Sequence, residues 1–189
     1  AAAAVKNAKD AKAAKKEKTQ MGIIENRRSV REFAEKSIDK ETLLRIVNAG
    51  MQAPCAYGRS GAEFLILTNP DDIKKAAEVN PNAKPAENAA ALIITLYNSK
   101  DDKKKNDWWV EDMSAVTENI LLKITEEDLG GVWLGIYPRE DRSEYLKRAF
   151  GVPENVTPFS LIALGYPKTA MGEKESRSLP VYFGGYGKK

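Results

Sequence analysis

Residues 108–137 read WWVEDMSAVTENILLKITEEDLGGVWLGIY, and this stretch decides the fold. Apolar side chains recur at helical spacing from Trp108 to Asp128, which predicts a long and largely buried helix. The pair Gly130–Gly131 is predicted to end that helix. The apolar run Val132–Tyr137 then predicts a strand. A helix followed at once by a strand is typical of a layered domain in which helices cover a sheet.

Three further apolar runs predict strands, at Glu63–Thr68, Ala91–Tyr97 and Phe159–Leu164. Between the strands the sequence predicts a helix from Asp39 to Gly50, helices over Asp71–Val79 and Pro138–Phe150, and a loop over Asn80–Asn88. Four strands with interleaved helices predict a layered domain of the α+β or α/β class.

The chain has 189 residues, no histidine and one cysteine, Cys55. The missing histidine excludes Ser-His-Asp and Cys-His catalytic units and histidine-ligated zinc. A lone cysteine excludes a disulfide framework and a thiolate cluster within one chain, so we expect no metal site. One free cysteine is typical of a reducing compartment, and we expect a cytoplasmic protein.

The positive charge of the chain is concentrated in an Ala/Lys-rich tail, residues 1–20. The tail holds six lysines against two carboxylates, a net charge of +4, while the whole chain is +3. The body, residues 21–189, therefore has 24 basic and 25 acidic groups, a net charge of −1. A nucleic-acid-binding domain carries its own positive face, so we expect no nucleic-acid partner. No apolar run is long enough for a membrane span, and we expect none.

A basic cluster, Arg27-Arg28-Ser29-Val30-Arg31, opens the body of the chain. Three guanidinium groups and one hydroxyl within five residues are suited to holding a phosphate or a carboxylate. The alternative interpretation is a solvated basic helix end, which the charge alone favours.

The basic cluster is the first of five motifs that occur in a fixed order. They are Arg27–Phe33 (RRSVREF), Ala53–Ala56 (APCA), Glu118–Leu122 (ENILL), Gly131–Glu140 (GVWLGIYPRE) and Leu161–Pro167 (LIALGYP). Together the motifs resemble the FMN-dependent nitroreductase family, from about residue 21 to 180. The resemblance implies a homodimeric, three-layer α+β fold. Its central mixed sheet would have four core strands plus a C-terminal strand exchanged between subunits, within an arm that starts at about residue 167.

The resemblance also implies how FMN is held. Residues Arg27, Ser29 and Arg31 match positions that hold the phosphate and ribityl chain, with Arg28 beside them, and Arg177 matches a further phosphate contact.

A second set of residues matches positions at the flavin ring. Pro54, Cys55 and Ala56 match a segment that the other subunit lays against the ring. At Cys55 a small buried thiol is favoured over a redox role. Gly135 and Ile136 match a turn whose backbone approaches the ring near N5, although a glycine there is also compatible with a strand bulge.

Two features remain open within this resemblance. Trp108 and Trp109 lie where the family builds its substrate wall, but they are equally suited to a core or an interface. Gly58 stands where the family has asparagine, and residues 60–62 (SGA) stand where it has Gln-Pro-Trp. The polar contacts to the flavin pyrimidine edge are therefore expected to differ, with Arg59 or a backbone amide in their place.

The activity implied is that of an FMN-dependent oxidoreductase. NADH or NADPH would pass hydride to the flavin, and a small acceptor such as a quinone, an enone or a nitro compound would take it. A second hypothesis keeps the flavin and changes the reaction, because some relatives dehalogenate, oxidise peptide-derived rings or fragment the flavin itself. The last two of these reactions need no nicotinamide. The alternative is a flavin-binding protein of the same fold with a degenerate, non-catalytic site.

Overall fold

The four predicted strands form one sheet in the computed structural model, which describes residues 22–58, 61–100, 106–170 and 178–188. In chain order the strands are β1 (Ala62–Leu67), β2 (Ala91–Asn98), β3 (Gly130–Gly135) and β4 (Val156–Gly165). Their order across the sheet is β1-β2-β4-β3. The chain therefore crosses over β4 when it runs from β2 to β3.

Helices precede and connect the strands. They are α1 (Ile23–Asn26), α2 (Lys40–Gly50), α3 (Pro70–Ala77), α4 (Lys84–Glu87), α5 (Trp109–Glu126) and α6 (Glu140–Phe150), with short 3-10 turns at Ala56–Gly58 and Pro81–Ala83. Helix α2 begins where the sequence predicts, because the Asp39 side chain accepts a hydrogen bond from the Thr42 amide at 2.8 Å.

The sheet is the middle of three layers, which confirms the prediction of an α+β fold with helices on both faces. Successive side chains of a strand point to opposite faces. In β2, Leu92 and Ile94 pack on the side of α3, α4 and α6, whereas Ala91 and Ile93 pack on the side of α2 and α5. All four of these side chains are fully buried. Helices therefore cover both faces of β2, which explains why apolar and polar residues do not alternate along this strand.

The mixed sheet predicted from the resemblance is not found among the described strands. All three strand pairs, β1–β2, β2–β4 and β3–β4, are antiparallel. The one parallel contact in the described residues is an isolated bridge between Ser29 and Gly131. Apolar patterns place a residue on a strand, but the path of the connecting helices over the sheet decides which way that strand runs.

Two local predictions were wrong for identifiable reasons. Residues 80–88 form a 3-10 turn and one helical turn rather than a loop, since Asn80 caps the Asn82 amide at 2.8 Å. Both prolines of this segment stand in a first turn, where a missing N–H group costs nothing.

The pair Gly130–Gly131 begins β3 instead of ending the helix, which stops at Glu126. A Cβ at Gly130 would lie 2.6 Å from the Val30 Cβ, so the glycine lets the segment before α2 lie directly on the strand.

Parts of the prediction lie outside the described residues, including the tail, residues 1–20, and Arg59 and Arg177. Residues 178–188 of the predicted arm are described, are exposed, and form no strand within the single chain. The strand exchange therefore stays a prediction. None of the helices in the described segments is long and apolar enough to cross a membrane.

Candidate functional site

The basic segment, residues 27–31, is fixed by backbone pairing to the start of β3. The Val30 amide donates to the Gly131 carbonyl at 3.0 Å, and Ser29 forms the isolated bridge with Gly131. The close approach to Gly130 allows this contact. Because Ser29 and Val30 pair with Gly131, the backbone of the neighbouring arginines has a fixed position beside the start of β3.

The arginines of the segment differ in their surroundings. The Arg27 Nε lies 3.1 Å from the Glu118 Oε1 on α5, and its side chain is three-quarters buried. The Arg28 Nε donates to the Asn26 carbonyl at 3.4 Å. Ser29 and Arg31 are exposed. Arg27 is thus drawn towards α5, while Ser29 and Arg31 face solvent, and the segment 27–31 has a formal charge of +3. Whether these side chains bind one anion together stays a prediction.

The predicted ring-contact residues lie at the other end of β3. Gly135 is exposed, and a Cβ placed on it would meet no atom within 4 Å. Its carbonyl accepts a hydrogen bond from the Arg142 Nη1 at 2.6 Å, while the Ile136 side chain is fully buried. From Gly131 to Gly135 the strand rises about 13 Å. An elongated ligand lying along this strand would touch both ends.

The loop Pro54–Gly58 is anchored to α5 rather than to the basic segment. The Ala56 amide donates to the Asp112 Oδ1 at 2.9 Å. Both Tyr57 and Gly58 have positive φ, +59° and +71°. Along α5, Asp112 and Glu118 are separated by six residues, roughly 9 Å. Within one chain the loop and the basic segment are therefore both positioned by α5 but contact it at different places.

Cys55 lies half-buried within this loop. Burial raises the pKa of the Cys55 thiol, and the negative charge of Asp112 raises it further. The thiol is therefore held in its protonated, less nucleophilic form at neutral pH. This environment favours a small packed thiol over a reactive cysteine at this position.

The two tryptophans before and at the start of α5 have different roles in the packing. Trp108 is 57% exposed. Trp109 stacks on Tyr97 with ring centroids 4.7 Å apart and meets Tyr137 edge-on at 4.6 Å. Since Tyr137 follows Gly135–Ile136 directly, the Trp109 ring braces the turn at that end of β3. The substrate contacts predicted for both tryptophans stay predictions.

The sequence did not reveal that Asn106 and Asp112 position the loop Pro54–Gly58. Nor did it reveal that Glu118 contacts Arg27. Asp112 is buried together with Asn106, whose Nδ2 donates to the Asp112 Oδ2 at 2.8 Å. A signal was present in the sequence. Asp112 lies four residues before Val116, on the apolar stripe that predicts the buried face of the helix.

Comparison with known proteins identifies the family of this chain. The model of the nitroreductase family matches residues 24–96 and 80–166. A protein of Archaeoglobus fulgidus, named as an NADH dehydrogenase/NAD(P)H nitroreductase, is 39% identical over 146 residues, which are 77% of this chain and 84% of that protein.

Solved structures show the same fold. A crystal structure of a Clostridium acetobutylicum protein named as an NADH oxidase has a TM-score of 0.83 at 34% identity, covering 87% of this chain and 99% of that one. An FMN-dependent nitroreductase of Clostridium difficile has a TM-score of 0.80 at 23% identity, covering 88% and 100%. The second likeness concerns the fold alone. With its family model matched over most of the described body, the chain belongs to the nitroreductase family.

Proposed function

We propose that this protein is an FMN-dependent oxidoreductase that passes hydride from NADH or NADPH to a small acceptor, such as a quinone, an enone or a nitro compound. One observation carries the proposal. A net positive segment and an open glycine lie at opposite ends of β3, about 13 Å apart along the strand. This spacing suits a ligand with an anionic tail and a flat head.

The residues present fit FMN in charge and in shape. Its dianionic phosphate would be held by Arg27, Arg28, Ser29 and Arg31, with Arg177 as a further predicted contact. Glu118 lies against Arg27, and the segment 27–31 has a formal charge of +3, which favours binding of a dianion. At the other end of β3 the open space above Gly135 admits a flat ring close to the backbone. The Gly135 and Ile136 amides would approach that ring.

FMN, when bound, would supply the redox chemistry, which consists of accepting a hydride and passing it on. The chain then has to bind and orient the cofactor and leave one face of it open. No protein nucleophile is required for this task, which is compatible with a sequence without histidine. The name of the Archaeoglobus fulgidus relative, an NADH dehydrogenase/NAD(P)H nitroreductase, supports this proposal.

We also propose that the protein is a homodimer in which the loop of one subunit, Pro54–Ala56 with Gly58, meets the flavin of the other. The described part of the C-terminal arm exposes large apolar side chains, including Leu179 at 73% and Phe183 at 76%. Exposed apolar residues this close together are typical of a surface that another chain covers.

A lone, protonated cysteine suits the reducing cytoplasm, where we place the protein.

The second candidate function is a flavin-binding protein without turnover. The observation that favours it is Gly58, which has φ +71° and no side chain where the family supplies an asparagine. A flavin held without that contact would be less firmly oriented at its pyrimidine edge.

The absorbance spectrum of the purified protein, with the released cofactor identified by mass, tests the proposal. We expect flavin bands and one FMN per chain. Steady-state oxidation of NADH and of NADPH, measured with a quinone and with a nitroaromatic compound, then separates the two candidates. Bound FMN without nicotinamide oxidation would favour the binding protein. Protein that stays colourless after incubation with FMN would contradict both candidates.

A further inference from the structure

Asp112 is a buried carboxylate that the proposed flavin chemistry does not use. It lies in the first turn of α5 and is only 6% exposed. A charge removed from water is tolerated only where hydrogen bonds or an opposite charge replace its hydration. The partners of this carboxylate therefore indicate what it does in the fold.

Both carboxylate oxygens of Asp112 are used. Oδ1 accepts from the Ala56 amide at 2.9 Å, and Oδ2 accepts from the Asn106 Nδ2 at 2.8 Å. The Asn106 Oδ1 in turn accepts from the Trp108 amide at 2.9 Å. Three hydrogen bonds thus connect Ala56 to Trp108 through two side chains. Ala56 and Asp112 are 56 residues apart in the sequence.

The backbone next to Ala56 shows that this anchor constrains the loop. Tyr57 has φ +59°, a left-handed conformation that non-glycine residues rarely adopt. Such a conformation persists only where surrounding contacts hold it. Two contacts beside Tyr57 are the bond from the Ala56 amide to Asp112 and the bond from the Gly58 amide to the Cys55 carbonyl, at 3.3 Å.

We propose that Asp112 is a positioning residue that locks the loop Pro54–Gly58 to the segment Asn106–Trp109. The loop proposed to meet the flavin ring and the tryptophan segment predicted to face the acceptor then form one rigid unit. The consequence for catalysis rests on the proposed function. The lock itself does not, because its hydrogen bonds join protein atoms within one chain.

Two variants separate the hydrogen bonds from the fold. In Asp112→Asn the new amide can still accept from Ala56, but its NH₂ group faces the NH₂ group of Asn106, so one link of the chain must break. In the double variant Asp112→Asn/Asn106→Asp the amide and the carboxylate exchange places. Every donor then again has an acceptor. The matched control is Glu111→Gln, which removes an exposed carboxylate from the preceding residue of α5.

Amide hydrogen exchange of Ala56 and Trp108, in the full-length protein, tests the lock. We expect exchange at one or both amides to accelerate about tenfold in Asp112→Asn. The double variant should return to within about twofold of wild type, and Glu111→Gln should match wild type. Exchange in Asp112→Asn equal to that of Glu111→Gln overturns the proposal. So does a folded double variant without restored protection. If Asp112→Asn does not fold, the double variant alone decides.

Alkylation of Cys55, the single cysteine, by iodoacetamide at a series of pH values gives a second readout. Loss of the Asp112 charge lowers the pKa of the thiol, and a loosened loop exposes it, so Asp112→Asn should react faster. A purely structural defect elsewhere in α5 would leave the pH profile unchanged. An unchanged profile in Asp112→Asn contradicts the proposed contact between the carboxylate and the loop.

Kinetics with FMN distinguish failure of the lock from failure of the proposed function. In Asp112→Asn we expect the FMN Kd and the acceptor KM to rise about tenfold, with kcat changed less than twofold, because binding geometry is lost and the cofactor still supplies the chemistry. A fall in kcat alone overturns the positioning role. If wild-type protein binds no FMN, the proposed function fails, while exchange and alkylation still decide whether the lock exists.

Discussion

Two segments at the candidate site are held in place by different means. The basic segment, residues 27–31, pairs through its backbone with the start of β3. The loop Pro54–Gly58 is fixed across a large sequence distance by one buried side chain, Asp112. A backbone anchor needs a glycine to permit the approach and tolerates many side chains. A side-chain anchor depends on a single residue, so the loop is the more easily loosened of the two by mutation.

The strongest test of the backbone anchor is Gly130→Ala. The added Cβ would lie within 2.7 Å of three Val30 side-chain atoms on a paired backbone, so the basic segment must move. We expect a loss of about 3 kcal/mol in the free energy of unfolding, from overpacking. Urea denaturation checks this loss. Wild-type stability would show that the segment can move off β3 at little cost.

Substitution of Arg27 tests the charge that the backbone anchor presents. Arg27→Ala should weaken FMN binding by about 1.5–3 kcal/mol, because a charge-assisted bond to the phosphate is lost. Titration followed by flavin fluorescence measures the affinity. Arg148→Ala removes an exposed arginine from α6 and serves as the control. An Arg27→Ala affinity equal to that of the control would contradict the phosphate assignment.

The opposite end of β3 offers a matched glycine. At Gly135 an added Cβ meets nothing within 4 Å, so Gly135→Ala should leave the stability of the protein without FMN unchanged. The methyl group would occupy the space assigned to the flavin ring, and we expect FMN affinity to fall by about 1 kcal/mol. The same fluorescence titration applies. An unchanged FMN affinity would contradict the assignment of the flavin ring to this end of β3.

The ion pairs of Glu127 lie away from both segments and should affect stability without affecting the site. The Arg45 guanidinium and the Lys123 ammonium hold the pKa of Glu127 at about 2, below its ordinary value of 4.5. A lowered carboxyl pKa stabilises the fold above pH 4.5, and this stabilisation is lost as the pH falls towards 2. Glu127→Gln should therefore cost about 0.5 kcal/mol at pH 7 and nothing near pH 2.

Thermal unfolding at both pH values measures this difference. Because Glu127 joins α2 to the end of α5 and touches neither segment of the site, FMN affinity should stay at the wild-type value. A cost that persists at pH 2 would mean that the side chain acts through packing rather than charge.

The sequence predicts those parts of the structure that local physics determines. The capping of α2 by Asp39, the buried strand β2 and the long helix α5 each follow from a few neighbouring side chains. Strand direction does not follow, because it depends on how the connecting helices cross the sheet. The turn at Pro81–Ala83 was missed because proline both interrupts helices and begins them.

In the candidate site, too, local sequence predicts some features, whereas others depend on contacts between distant residues. A cluster of arginines is visible in the sequence as a concentration of charge, and motif order identified the glycine at the end of β3. The partners of these residues were not visible. Whether an acidic residue on an apolar stripe is a surface group or an anchor depends on a backbone amide 56 residues away, which no local pattern encodes.

The aromatic stack around Trp109 has a practical consequence. This indole lies face to face with Tyr97 and edge-on to Tyr137, and its centroid is less than 5 Å from the centroid of each of these two rings. Rigidly packed rings produce near-ultraviolet circular dichroism, which disappears when tertiary packing is lost. The molecule thus contains its own optical probe of the turn that follows β3, and ligand arrival there can be monitored without any attached label.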